Sequence, residues 1–187
     1  GSLYDGDRRN TDQALAFLED SAGSESPFFL YLTTGLVHPA FEAEKRFMDR
    51  IDEGKIEAPP TLGPIEDEEH PVLRYIRATK HCDKAFSEDM VREIRHVYYA
   101  MIAALDELVG KVLKKVEQLG LGDSTYIIFS SDHGEMLGDH GEWGKGMWYE
   151  QSVGIPLIIS GIFSSFSAGV EYLTPSLKST LRSFILV

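Results

Sequence analysis

The stretch Ser130 to Glu150, SSDHGEMLGDHGEWGKGMWYE, gathers carboxylates, imidazoles and glycines in one place. Asp132 and His133 stand side by side in it. A carboxylate oxygen suits hard divalent ions, and an imidazole nitrogen suits Mn²⁺, Zn²⁺ or Fe better than Ca²⁺. The pair is therefore a candidate for holding one cation, with Gly134 allowing a sharp turn beneath it. The same residue types also build ordinary strand-to-loop turns. Lys145 lies between Gly144 and Gly146. Small neighbours let an ammonium approach an anion closely, although most lysines are simply solvated. Earlier in the chain, His38 precedes Pro39, which restricts its backbone. A histidine held this way can protonate a leaving group or can serve a structural role. His140, in Gly138-Asp139-His140-Gly141, either lines a ligand pocket or supports its own loop. Cys82 is the one cysteine, so an internal disulfide is excluded, and its neighbour His81 is too close in sequence for a nucleophile–base pair. His70, His81 and His96 read as surface or loop residues.

These candidates need elements to carry them. Tyr126 to Ser130 (YIIFS) reads as a buried strand ending just before Asp132. Phe28 to Thr33 (FFLYLT) reads as another, ending before His38, and Leu157 to Ser160 (LIIS) as a third. Between them, apolar residues from Val91 to Val116 recur at three- and four-residue spacing, which predicts a helix from about Glu88 to Leu119. Ser87 is its N-cap and Gly120 its stop. A shorter helix is expected after an Asn10-Thr11 cap, ended by the Ser/Gly-rich stretch Ser21 to Ser26. Residues 39–87 read as irregular, with Pro59-Pro60, Pro64, Pro71 and the acidic run Glu66 to Glu69, in the manner of a functional loop or lid. Strands alternating with helices predict an α/β fold with a mostly parallel sheet, where ligands sit beyond the carboxyl ends of the strands. That rule points to His38 and to Asp132-His133.

The chain has 187 residues, 43% hydrophobic and 26% charged, which suits one domain or a large part of one. Its net charge of −12 shows no basic cluster, which argues against a nucleic-acid partner. A small anion stays compatible, because one cation and one lysine reverse a local field. No run of apolar residues is long enough to span a bilayer. Gly1-Ser2 resembles the scar of a cleaved tag and no secretory leader follows, so the native compartment stays open.

Several ordered pieces together resemble the sulfatase family of the alkaline-phosphatase-like superfamily. They are Thr11-Asp12-Gln13-Ala14, Pro27-Phe28-Phe29-Leu30 with His38-Pro39, Tyr99-Ala100-Met101 with Leu105-Asp106, the block Ser131 to Gly141, Gly144-Lys145-Gly146 with Tyr149-Glu150, and Ile155-Pro156-Leu157. The resemblance covers most of residues 11–161 and implies a sandwich of helices around a mostly parallel central sheet. It implies sulfuric ester hydrolysis with a divalent cation, Ca²⁺ first and Mn²⁺ as the alternative, and a formylglycine nucleophile. Carried over by position, Asp132 and His133 correspond to metal ligands. Lys145 corresponds to the lysine gripping a sulfate oxygen, and His38 to the histidine that contacts the sulfate or protonates the alcohol. His140 is expected near the substrate.

The departures are informative. His133 stands where many sulfatases have Asn, which is similar to the choline-sulfatase and phosphonate monoester hydrolase branch. The family's amino-terminal Asp-Asp pair and its C-x-(P/A)-x-R signature do not occur; Cys82 is followed by Asp83-Lys84-Ala85-Phe86. Residues 162–187 match poorly, with Ala168-Gly169 and Pro175-Ser176-Leu177 a loose echo of the family pattern. The 187 residues therefore read as a single partial domain that by itself would not turn over a sulfate ester. A phosphodiester or phosphonate monoester hydrolase of the same fold is the close alternative, and a non-catalytic binding protein the more distant one. By family analogy the compartment would be periplasmic, secreted, lysosomal or bacterial cytoplasmic.

Overall fold

In the computed structural model, which describes residues 2–62, 70–79, 86–161 and 183–186, the first helix starts well before Asn10. Helix α1 spans Leu3–Ser21, and the Ser2 hydroxyl caps it by accepting from the Asp5 amide at 3.2 Å. Tyr4, Asp7, Thr11, Ala14 and Leu18 form its buried stripe. Two polar members of that stripe, Asp7 and Thr11, hide the helical period from a purely hydrophobic reading. Thr11 is thus a buried mid-helix residue and not a cap.

Asp7 has a specific task. Its carboxylate accepts from the Gly35 amide at 2.8 Å and from the Leu36 amide at 2.8 Å, fixing the chain just after the first strand. A buried carboxylate bound to two amides makes charge-assisted bonds that water cannot replace. Asp7→Ala is expected to cost roughly 2–4 kcal/mol in urea unfolding. Asp7→Asn keeps one acceptor oxygen and should cost less.

Strand β1 is Phe28–Tyr31, α2 is Lys45–Met48, α3 is Pro71–Thr79 and α4 is Glu88–Gln118. They are followed by β2 (Thr125–Ser130), α5 (Glu150–Val153), β3 (Leu157–Ser160) and β4 (Ser183–Leu186). The long helix begins as expected: the Ser87 hydroxyl accepts from the Met90 amide at 3.3 Å. It ends at Gly120, with φ +66°, where the Leu121 amide reaches Val116 O and the Gly120 amide reaches Glu117 O, both at 3.0 Å. This double bond pattern needs a left-handed residue, which glycine adopts without strain. The region expected to be irregular carries α2 and α3. His81, Cys82, Glu66 to Glu69, Ala168-Gly169 and Pro175-Ser176-Leu177 lie outside the described residues.

The chain divides into two compact units. The first comprises Gly1–Leu36, Leu105–Ser130 and Pro156–Val187 and holds the whole sheet, in the order β1-β4-β2-β3. β1 and β2 each pair parallel to β4, whereas β3 runs antiparallel to β2. The architecture is α/β. Ala14 and Leu18 of α1, Val112 and Val116 of α4, and Ile185 of β4 share one core cluster with Leu32. β3 forms as expected, but its residues are exposed and not buried, with Leu157 66% and Ile158 60% accessible. Hydrophobic run and strand agree; burial does not, since successive side chains point to opposite faces and all four are exposed, so both faces of β3 are accessible. The second unit, Val37–Ala104 with Ser131–Ile155, contains all the candidate site residues. No described helix is long and apolar enough to cross a membrane.

Candidate active site

Within the second unit, the segment after β2 is fastened at both ends. The Gly134 amide donates to Ser152 O at 2.8 Å. A Cβ built on Gly134 would stand 2.1 Å from Gln151 O. Gly134 is therefore required by a close backbone approach, not by the turn conformation anticipated for it. Further on, the Glu135 carboxylate accepts from the Gly144 amide at 2.6 Å, and the Met136 amide donates to Gly144 O at 3.0 Å. These two bonds set the backbone from which Lys145 projects. Glu135 was not singled out from sequence; as one acid in an acid-rich loop it carries no pattern that distinguishes a clamp from a ligand. Nearby, the Tyr98 phenol is pushed up to about 12 by burial, then by the Glu135 carboxylate and by Tyr99, so it stays protonated at neutral pH.

The two histidines of interest are held the same way. His38 Nδ1 bonds to Pro39 O at 2.6 Å, and His133 Nδ1 bonds to Gly134 O at 2.7 Å. A carbonyl can only accept, so in the neutral rings each Nδ1 carries the proton and each Nε2 keeps its lone pair. The His38 lone pair is used: Lys145 Nζ donates to His38 Nε2 at 3.0 Å, joining residues 107 apart in sequence. The His133 lone pair lies 3.6 Å from Asp132 Oδ1, on a carboxylate that is 88% exposed. An imidazole locked by a backbone carbonyl, with its other nitrogen beside a carboxylate, is the donor arrangement that metal-binding histidines use. The residues present thus fit a divalent cation as an N/O pair. Among the described residues no three His, Cys, Asp or Glu side chains cluster as a fuller ligand set. No hydrogen bond or ion pair among the described residues joins the Asp132–His133 pair to the His38–Lys145 pair.

His140 sits in the packing of its own loop. Its ring stacks on Tyr149 at 4.1 Å and 16°, its amide donates to Thr61 O at 2.8 Å, and its carbonyl accepts from Arg77 at 3.0 Å. Of the two roles open to it, this geometry matches loop support. Asp139 beside it is buried, accepting from the Gln151 side chain at 2.5 Å and from the His140 amide at 3.0 Å. Arg77 of α3 pairs with Glu142 at 2.5 Å, with side chains 7% and 2% exposed. That buried pair fastens α3 to the glycine-rich loop. Neither Arg77 nor Glu142 stood out in sequence, because nothing local links residues so far apart. His96 is also buried, between Met48 O at 3.2 Å and Glu53 at 3.1 Å, which corrects its reading as a surface residue.

Known proteins are similar to this chain in sequence and fold. The sulfatase family model matches residues 3–165. Arylsulfatase K of Bos taurus is 34% identical over 169 residues, covering 83% of this chain and 31% of the relative. Arylsulfatase K of Xenopus laevis is 35% identical with the same coverage. Among solved structures, the phosphonate monoester hydrolase of Silicibacter pomeroyi superposes with a TM-score of 0.70 at 31% identity, over 81% of this chain and 32% of that one. The phosphonate monoester hydrolase of Agrobacterium radiobacter gives a TM-score of 0.66 at 25% identity, over 82% and 33%. The chain spans about a third of the length of the relatives it matches.

Proposed function

Because the chain belongs to the sulfatase family, we propose that it supplies part of the active site of a divalent-cation-dependent sulfuric ester hydrolase. Lys145 and His38 act on the sulfate group, and Asp132 and His133 hold the cation. The observation that carries this reading is the 3.0 Å bond from Lys145 Nζ to His38 Nε2. An ammonium has three donors, and this bond uses one, leaving two for a tetrahedral oxyanion. Fixed positive charge beside an oxyanion stabilises the charge that develops as the ester breaks. When the S–O bond to the alcohol breaks, the alcohol oxygen leaves with the bonding pair and needs a proton. The proton shared between Lys145 Nζ and His38 Nε2 is placed to supply it.

The cation, when bound, would add positive charge beside the sulfate oxygens. Ca²⁺ is the ion the resemblance implies, while the imidazole of His133 favours Mn²⁺. The signature that would carry the formylglycine implied by the resemblance does not occur among these 187 residues. His140 acts as a support of the loop and not as a contact of the sulfate. The parallel pairings of β4 and the TM-score of 0.70 support the finer reading of an alkaline-phosphatase-like sandwich. A family match running through both compact units supports one partial domain.

A second reading, hydrolysis of phosphodiesters or phosphonate monoesters, is favoured by the likeness to the Silicibacter pomeroyi enzyme and by His133. Tetrahedral oxyanions of both kinds fit the same ammonium. The test is nitrogen NMR of the six histidine side chains in the 187-residue chain. Inorganic sulfate should shift the His38 Nε2 signal, and Lys145→Ala should abolish the shift. Mn²⁺ should broaden His133 and lose that effect in Asp132→Ala. Tighter binding of phenylphosphonate than of phenyl sulfate would favour the second reading. If neither anion moves the His38 signal, the assignment of Lys145 and His38 fails.

A further inference from the structure

Two separate segments must meet for Lys145 to reach His38, and within the second unit both lie against the part of α4 that precedes Leu105. The helix meets the glycine-rich loop along one face. A Cβ built on Gly138 would stand 2.9 Å from Val91 Cγ1, and Arg95 Nη1 donates to Leu137 O at 3.3 Å. One turn on, the Tyr98 phenol sits beside the Glu135 carboxylate. Positions 91, 95 and 98 form a single helical stripe, so the helix and the segment 135–138 run alongside each other in opposite directions. At the same place the Tyr98 ring meets Phe41, edge to face, at 5.7 Å and 89°. Phe41 lies three residues beyond His38. We propose that Tyr98 is a positioning residue, holding the segment of His38 and the segment of Lys145 in the register that joins the two side chains. The inference rests on the reading of Lys145 and His38 given above.

Each contact of Tyr98 leads to one member of the pair. On one side, Glu135 accepts from the Gly144 amide at 2.6 Å, and the Met136 amide donates to Gly144 O at 3.0 Å. Whatever fixes residues 135 and 136 therefore fixes the backbone just before Lys145. On the other side, residues 37–41 belong to no helix or strand, so ladder hydrogen bonds do not set their path. Side-chain packing must do so, and an edge-to-face pair has a preferred geometry that an aliphatic contact lacks. A tyrosine suits both tasks, with an apolar ring for Phe41 and a polar tip for the carboxylate. The phenol is pushed up to about 12 by burial, then by Glu135 and Tyr99, so it stays neutral and adds no negative charge next to the lysine loop. The neighbouring stripe of α4 holds the chain beyond Phe41 in a similar way. Arg92 bonds to Ile56 O, and His96 Nε2 lies 3.2 Å from Met48 O. One helix is thus the common support of both segments, and Tyr98 is where its contacts with them coincide.

The test is nitrogen NMR of His38 in the 187-residue chain, with inorganic sulfate as the probe. Lys145→Ala first defines the His38 Nε2 signal of a broken pair. Tyr98→Ala should move the sulfate-free signal to that position and weaken sulfate binding roughly tenfold, the value of one charge-assisted hydrogen bond. Tyr98→Phe keeps the ring against Phe41 and should restore most of both. Phe41→Leu, at a half-buried position, removes the ring edge without altering α4 and should act in the same direction as Tyr98→Ala. It decides the matter if Tyr98→Ala does not fold. Leu108→Ala is the control, at a fully buried site on the same helix in the first unit. It should lower stability in urea and leave the His38 signal in place. An unmoved His38 signal and parent-like sulfate binding in Tyr98→Ala and Phe41→Leu overturn the positioning role and leave Lys145 as it stands. A shift in Leu108→Ala as large as in Tyr98→Ala overturns it too, because the effect is then a general loss of stability. A His38 signal that Lys145→Ala does not move overturns the pair itself, and Tyr98 then has nothing to position.

Discussion

Replacing Gly134 by alanine is expected to destabilise the chain by roughly 3 kcal/mol, at the upper end for overpacking a tight site. The added Cβ would lie 2.1 Å from Gln151 O, 3.0 Å from Gln151 C and 3.1 Å from Gly154 O. All three are backbone atoms, so no rotamer change relieves the contact. The two segments must separate, which stretches the 2.8 Å bond from the Gly134 amide to Ser152 O. His133 is the preceding residue, and its ring is fixed by Gly134 O, so cation binding should be lost along with stability. Gly144→Ala provides the comparison. Gly144 has φ +75° but no atom within 4 Å of the added Cβ, so only conformational strain of about 1–2 kcal/mol applies. Urea unfolding of both variants, with Mn²⁺ titration, checks the ordering. Equal losses in the two would show that close approach is not what keeps glycine at 134.

Arg77→Met should be at least as damaging, at roughly 3–5 kcal/mol, because it strips Glu142 of the guanidinium it faces in a buried site. Both side chains are nearly inaccessible, at 7% and 2%, and their atoms meet at 2.5 Å. Losing Arg77 also removes the bond it donates to His140 O at 3.0 Å. The same physics predicts a rescue. Arg77→Met combined with Glu142→Leu removes both charges and replaces them with apolar volume, and such replacements are often close to neutral. A double-mutant cycle in urea should therefore give a strongly favourable coupling between the two substitutions. Additive losses would mean that the pair is not the interaction fastening α3 to the loop.

Some of this protein is legible in sequence for simple reasons. Helix α4 carries a long apolar stripe with a serine cap and a glycine stop, all local signals, and it forms within a residue or so of expectation. The strands β1, β2 and β3 follow short apolar runs bounded by turn residues. His38, Asp132, His133 and Lys145 are conspicuous because their types and neighbours are unusual, and the ordered pieces around them identify the family. The start of α1 was hidden, since Asp7 and Thr11 interrupt its buried stripe and find their partners elsewhere in the fold. β4 was hidden for another reason. Phe184 to Leu186 is an apolar run at the end of the chain, and only parallel pairing on both sides places it in the middle of the sheet, where Ile185 is fully buried.

The tertiary structure also decided which polar residues act together. Sequence spacing says nothing about residues 107 apart, yet the fold brings Lys145 onto His38. It gives Glu135 to the lysine loop and Glu142 to Arg77, and it turns Gly134 from a turn residue into a point of backbone contact. Local sequence determines propensity and residue chemistry, because those depend on a few neighbours. Partnership and burial depend on which distant segments share a volume, and that is set only when the chain has folded.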